Sequence, residues 1–159
     1  MSAPDTLNLR PATPADRPFL LRVYADSRAE ELVATNWTDD QKAAFCADQF
    51  AAQERHYREH YPGCEFLVIE RAGAPIGRLY RDRRAAEIRV VDIALLAAER
   101  GRGVGGALMR QVLDEAAAAG LLVRIHVEQA NPARRLYERL GFRLAERGEV
   151  YDLLSWKNS

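Results

Sequence analysis

Cysteine is scarce in this chain. Cys46 and Cys64 are the only two, and the three histidines are scattered. That excludes a disulfide framework and a cysteine–histidine metal site, and a reducing cytoplasm is the simplest setting. Both cysteines read as buried structural thiols, because neither sits in a catalytic signature. No apolar run approaches membrane-spanning length, and the N-terminus has no signal-peptide core. Neither sign of charge is in excess: 23 basic residues face 23 acidic ones, which argues against nucleic-acid or membrane partners. Repeats, low-complexity tracts and linkers are missing too. What remains is a chain of 159 residues, 48% hydrophobic, expected to form a single domain over residues 1–159, as monomer or homodimer.

The chain is organised around Arg89–Gly120. Val90-Val91-Asp92-Ile93-Ala94-Leu95-Leu96 reads as a strand buried on both faces. Gly101, Gly103, Gly105 and Gly106 follow, and then a helix. Its apolar stripe runs through Val104, Leu108, Val112 and Ala116, widened by Ala107 and Ala119, and Gly120 suits its end. A strand, a glycine-rich turn and a helix start make an anion site, since unpaired N–H groups and the helix dipole converge there. Arg100 and Arg102 add positive charge, so phosphate binding is the first inference.

Three loop patterns compete for that phosphate. The P-loop requires Gly-Lys-Ser/Thr, and the loop has no lysine. Gly101-Arg102-Gly103-Val104-Gly105-Gly106 fits the dinucleotide pattern, with Glu128 closing the next strand, but repeated βαβ units do not follow. Arg100, Gly103 and Gly105 meet a third pattern, Arg-x-x-Gly-x-Gly. Downstream comes Asn131-Pro132-Ala133-Arg134-Arg135-Leu136-Tyr137-Glu138-Arg139-Leu140-Gly141-Phe142, and the chain opens with Leu9-Arg10-Pro11-Ala12-Thr13-Pro14-Ala15-Asp16. Together these stretches resemble the GNAT superfamily of N-acetyltransferases over nearly the whole chain.

In order, Leu7–Arg10 reads as an edge strand, and Thr13 caps a helix opened by Pro14. Thr38-Asp39-Asp40-Gln41 is a capping box for a long helix ending before Pro62-Gly63. Glu65–Glu70 and Ala74–Tyr80 form a hairpin, and the arginine cluster Arg78–Arg84 reads as solvated surface. After the glycine helix come a strand (Leu121–Glu128), the Asn131 helix and two closing strands. The fold class is α/β (α+β): a mixed, mostly antiparallel sheet with helices on both faces and a central, splayed parallel strand pair.

The resemblance implies acetyl-CoA as acyl donor and a primary amine, on a small molecule or peptide, as acceptor. It implies cofactor contacts at Leu95, Leu96, Arg100, Gly101, Arg102, Gly103, Val104, Gly105, Gly106, Asn131 and Arg134, although Asn131 also suits a helix cap before proline. It implies that Tyr137 protonates the departing thiolate, which a phenol can do at little thermodynamic cost. The base is open among Asp92, Glu128 and His126. Asp92 is a lone carboxylate in an apolar strand, where pairing with Arg81 or Arg89 is the other explanation. An acceptor wall is expected from Trp37, Gln49, Gln53 and Tyr57, with Phe45 and Phe50, against the alternative of core packing on the long helix. A silent acetyl-CoA sensor is the alternative to an enzyme.

Overall fold

The computed structural model describes residues 6–159. The signal-peptide reading falls partly on residues 1–5, outside the described residues. No helix among the described residues is long and apolar enough to cross a membrane. The elements are β1 (Leu7–Pro11), α1 (Arg17–Val33), α2 (Asp39–His60), β2 (Cys64–Arg71), β3 (Ala74–Arg83) and β4 (Glu87–Leu95). Then follow α3 (Val104–Ala119), β5 (Leu122–Glu128), α4 (Arg134–Arg139), β6 (Arg143–Glu146) and β7 (Tyr151–Trp156). The strands hydrogen-bond in the order β1-β2-β3-β4-β5-β7-β6. β4 and β5 pair in parallel, whereas β1–β2, β5–β7 and β6–β7 are antiparallel, which is the mixed sheet expected.

The chain divides into two compact units. The first runs to Tyr80 and includes Asp92–Arg102. In it, the first helix starts later than its proline suggests. Pro14–Asp16 is a 3-10 turn, and the Asp16 carboxylate accepts from the Thr13 N–H at 2.7 Å and from both Arg10 nitrogens at 2.8 Å. Those charge-assisted bonds hold the Asp16 carboxyl far below its usual range, with Arg10 the main cause and the Thr13 amide second. The Thr38 box forms as read: Gln41 N–H donates to Thr38 Oγ1 at 3.1 Å, and Thr38 N–H to Gln41 Oε1 at 2.8 Å. Leu20, Tyr24, Leu32, Cys46, Phe50 and Val68 make its core.

Ala72 and Gly73, with φ of 52° and 80°, close the β2–β3 hairpin in two residues, the left-handed pair that suits strand twist. The strand buried on both faces is β3, from Ile76 to Tyr80, and not β4 as the sequence suggested. In β4 only Ile88 and Val90 are buried, and Val91–Leu95 are half-buried. Part of the reason is Gly77. A Cβ there would lie 2.4 Å from the Ala94 carbonyl oxygen, so the two backbones meet where no side chain fits. Cys46 is buried as expected, and burial pushes its thiol up. Cys64 is only half-buried, because it opens β2 directly after the Tyr61–Gly63 turn.

The second unit comprises Arg81–Val91 and Gly103–Ser159. α3 buries Val104, Leu108, Met109, Val112, Leu113 and Ala116. Ala107 and Ala119 are exposed, so Met109 and Leu113, one residue past each fourth position, widen the stripe instead. Gly120, at φ 68°, ends the helix. α4 starts at Arg134. Asn131 caps the turn before it by accepting the Ala133 N–H at 2.9 Å, while Ala133 itself flanks the helix. Gly141, at φ 103°, closes α4 as the left-handed residue, with Phe142 N–H reaching back to the Tyr137 carbonyl at 3.0 Å.

Candidate active site

At the start of α3, Gly103 has φ 79° and flanks the first turn, and the first intrahelical bond runs from Ala107 N–H to the Gly103 carbonyl at 3.1 Å. The amides of Val104, Gly105 and Gly106 therefore have no partner within the helix. A Cβ at Gly103 would meet nothing within 4 Å, and at Gly105 only the tip of Leu136 at 4.0 Å. At Gly106 a Cβ would meet Leu136 at 3.5 Å and Arg110 at 3.6 Å, so side-chain space is open at Gly103 and Gly105 and closes toward Gly106. Val104 itself turns inward and is buried, so it contributes its amide and not its side chain.

In the first unit, Gly101 bends at φ 74° between Arg100 and Arg102, which are exposed and pair with no carboxylate among the described residues. Leu95 ends β4 half-buried. Leu96 is buried, its amide donates to the Ile76 carbonyl at 2.9 Å and its carbonyl accepts from the Glu99 N–H at 2.9 Å, while the Ala97 N–H donates to Asp26 Oδ2 at 2.9 Å.

The carboxylate of Asp92 sits in the most unusual surroundings of the first unit. The sequence suggested Arg81 or Arg89 as its partner. The structure instead pairs it with Arg78, whose Nη2 donates to Asp92 Oδ2 at 2.5 Å and to Gln53 Oε1 at 2.9 Å. Arg81 reaches Glu115 at 2.5 Å, and Arg89 reaches Glu87 at 3.3 Å. Arg78 is therefore no part of a solvated cluster: its side chain is 2% exposed. Its Nε and Nη1 find no hydrogen-bond partner among the described residues, and its Cζ stands 5.0 Å from the Tyr80 ring centre. Burial opposes the charge on Arg78, but Asp92 and the neighbouring tyrosines outweigh it, so the guanidinium stays charged.

Tyr57, from α2, donates to the same Asp92 oxygen at 3.3 Å. Burial first, and the Asp92 charge second, push its phenol far above the usual range, so Tyr57 remains a donor. Asp92 Oδ2 thus takes two donors, while Oδ1 has none among the described residues, and the side chain is 16% exposed. One oxygen is anchored and one is free.

Of the expected acceptor wall, Tyr57 bonds Asp92 directly, and Gln53 bonds the Arg78 nitrogen that holds it. Trp37 is 41% exposed and packs on Phe45 with ring centres 5.1 Å apart. Gln49 is exposed, and Phe50 is wholly buried in the core, where it cannot line a wall. Arg78 was missed. Its signal was legible: a lone cation between Ile76 and Tyr80 in an apolar strand needs a partner as badly as the lone Asp92 does.

In the second unit, Tyr137 is buried on α4, edge-on to Phe142 with centres 5.7 Å apart. Arg134 is committed to Asp152, at 2.5 Å, and Glu138, at 3.0 Å. Glu128 is exposed and accepts from the Tyr151 hydroxyl at 3.3 Å. On the same face of β5, His126 is pushed down by partial burial first and by Arg89 second.

A sequence comparison with curated proteins finds no match. Among solved structures, the chain is similar to PaiA N-acetyltransferase from Thermoplasma acidophilum in complex with coenzyme A. The identity is 13% and the TM-score 0.71, covering 96% of this chain and 99% of that one. It is also similar to an acetyltransferase from Thermus thermophilus, at 22% identity and TM-score 0.66, covering 96% and 97%. Ard1 from Thermoplasma volcanium aligns at 21% identity and TM-score 0.60, covering 96% and 98%. At these identities the likeness establishes the fold. Residues 27–142 match the acetyltransferase (GNAT) family. The chain belongs to the GNAT family of acetyltransferases, and that membership implies acetyl transfer from acetyl-CoA.

Proposed function

We propose that the whole chain is one N-acetyltransferase domain that moves acetyl directly to a primary amine, on a small molecule or peptide, within a ternary complex. The observation that carries this reading is Asp92, half-buried, with Oδ2 anchored by Arg78 and Tyr57 and Oδ1 free. Oδ1 orients the acceptor's ammonium and receives its proton, while the two donors on Oδ2 hold the carboxylate still. Acetyl-CoA, when bound, supplies the activated thioester. The amides of Val104, Gly105 and Gly106 would hold its pyrophosphate, and Arg100, Gly101, Arg102, Gly103, Asn131 and Arg134 are the further cofactor contacts that the family resemblance implies. Leu95 and Leu96 bind along the pantetheine. Tyr137 keeps a proton for the leaving sulfur. Two cysteines outside any disulfide and without a nucleophile's surroundings favour direct transfer over an acetyl-enzyme, and they fit a reducing cytoplasm.

The acceptor lies against Gln53 and Tyr57, with Gln49 one helical turn before Gln53, while Trp37 packs on Phe45 at the opposite end of α2 from Tyr57. These aromatic and amide groups suit an amine on an apolar or mildly anionic body better than a polyamine. A thiol-release assay across amino acids, arylalkylamines, short peptides, polyamines and aminoglycosides tests this. Turnover is expected on the first three classes, and Tyr137→Phe should lower it while leaving acetyl-CoA affinity unchanged. Clear preference for polyamines would overturn the acceptor class. Tight acetyl-CoA binding with Asp92→Asn as active as the parent would overturn the role of Asp92.

A further inference from the structure

The first unit also holds a cavity of about 420 Å³ that none of the residues bonded to Asp92 lines. Its apolar lining includes Pro14, Leu20 and the rings of Phe66 and Tyr80, which meet edge to face with centres 4.8 Å apart. Two of its lining residues are tied by backbone, since the Ala12 N–H donates to the Phe66 carbonyl at 2.8 Å. Three charged residues stand at the cavity: Arg17, Glu54 and Arg58. Arg17 and Glu54 pair with each other and cancel. Arg58, one helical turn beyond Glu54 on α2, pairs with no carboxylate among the described residues. Its Cζ lies 5.0 Å from the Phe66 ring centre, so the guanidinium is stacked on the aromatic wall, and it has donors to spare.

An aromatic-walled space with one uncompensated guanidinium is complementary to a ring that carries an acid. We propose that this cavity is a binding site for a small aryl carboxylate, with the ring packed on Phe66, Tyr80 and Leu20 and the carboxylate on Arg58. The planar fork of arginine takes a carboxylate through two parallel hydrogen bonds, and its stacking on Phe66 already holds it in place. The volume lies in the range that accepts one ring with a short acid chain. A cationic ligand would meet Arg58 unshielded, and a neutral one would leave its charge unpaired.

The test needs no turnover and so stands apart from the acetyl-transfer reading. Binding of 3-phenylpropanoate to the full chain is measured by calorimetry, beside 3-phenylpropanamide and 2-phenylethylamine. Saturable one-to-one binding of the acid is expected, at least about tenfold tighter than either analogue. Arg58→Gln, at an exposed position, should weaken the acid about tenfold with the melting temperature unchanged. Arg55→Gln, exposed on the same helix but outside the cavity, should leave binding as it was. No saturable binding, equal binding of acid and amide, or equal losses in the two arginine variants would each overturn the proposal.

Discussion

Two arginine–aspartate pairs, one in each unit, are buried in opposite senses. In Arg78–Asp92 the cation is the buried partner, 2% exposed, and the carboxylate keeps 16% of its surface and one free oxygen. In Arg134–Asp152 the carboxylate is wholly buried, at 0%, and the arginine is 20% exposed. Asp152 Oδ1 accepts from Gln129 Nε2 at 2.9 Å and from the Gly148 N–H at 3.3 Å, while Oδ2 takes Arg134. Both oxygens of Asp152 are in use, whereas Asp92 is held by one side only. A carboxylate saturated with donors has no oxygen left for a ligand, and one held through a single oxygen does. The same two residue types are therefore arranged in opposite ways, and what separates them is which partner faces solvent.

The sharpest way to break this contrast is to neutralise each aspartate in turn. Asp92→Asn should lower turnover by about 10²- to 10⁴-fold with acetyl-CoA affinity retained, whereas Asp152→Asn should leave turnover within about threefold of the parent in the protein that remains folded. Equal losses in steady-state assays would show that both pairs are structural. Removing the cations comes next. Arg78→Met strands a half-buried carboxylate and should cost about 3–5 kcal/mol in denaturant titrations. Arg134→Met should cost clearly less, because Gln129 and Gly148 still satisfy Asp152.

Acid sharpens the comparison further. Arg134 first, and Gln129 second, hold the Asp152 carboxyl below its usual range. A depressed pKa in the folded state contributes stability that is fully present above the ordinary aspartate value of about 4 and is lost as pH falls through the folded value. Melting temperatures should therefore drop more steeply below about pH 4 in the parent than in Asp152→Asn. The smallest effect belongs to Tyr57→Phe. It removes one 3.3 Å bond to Asp92 and should cost about 1 kcal/mol in stability, with turnover lowered a few-fold because Arg78 still anchors the same oxygen.

Local signals carried most of the architecture. The Thr38–Gln41 box, the two-residue turn at Ala72-Gly73, the glycines flanking α3 and the left-handed stop at Gly141 are each decided by residues within a few positions of one another. Backbone sterics and capping chemistry act at that range, so the element order and the glycine-flanked start of α3 were legible in the sequence. Burial of β3 instead of β4, the widening of the α3 stripe by Met109 and Leu113, and the partial exposure of Cys64 were not legible. Each depends on which surface a neighbouring element covers, and strand patterns look alike until that neighbour is placed.

The sequence by itself determined that Asp92 is anomalous, since an ionised group inside an apolar strand demands a partner wherever the chain goes. Only the tertiary structure decided that the partner is Arg78, 14 residues away, and not Arg81 or Arg89. Spacing along a chain does not reveal which side chains share a face after strands pair. It gives no hint that Gln53 and Tyr57, from a helix far upstream of Asp92, would complete the anchor with Arg78. An ion pair of this kind forms where desolvation makes each charge costly alone, and desolvation is a property of the packed interior that no short stretch of sequence contains.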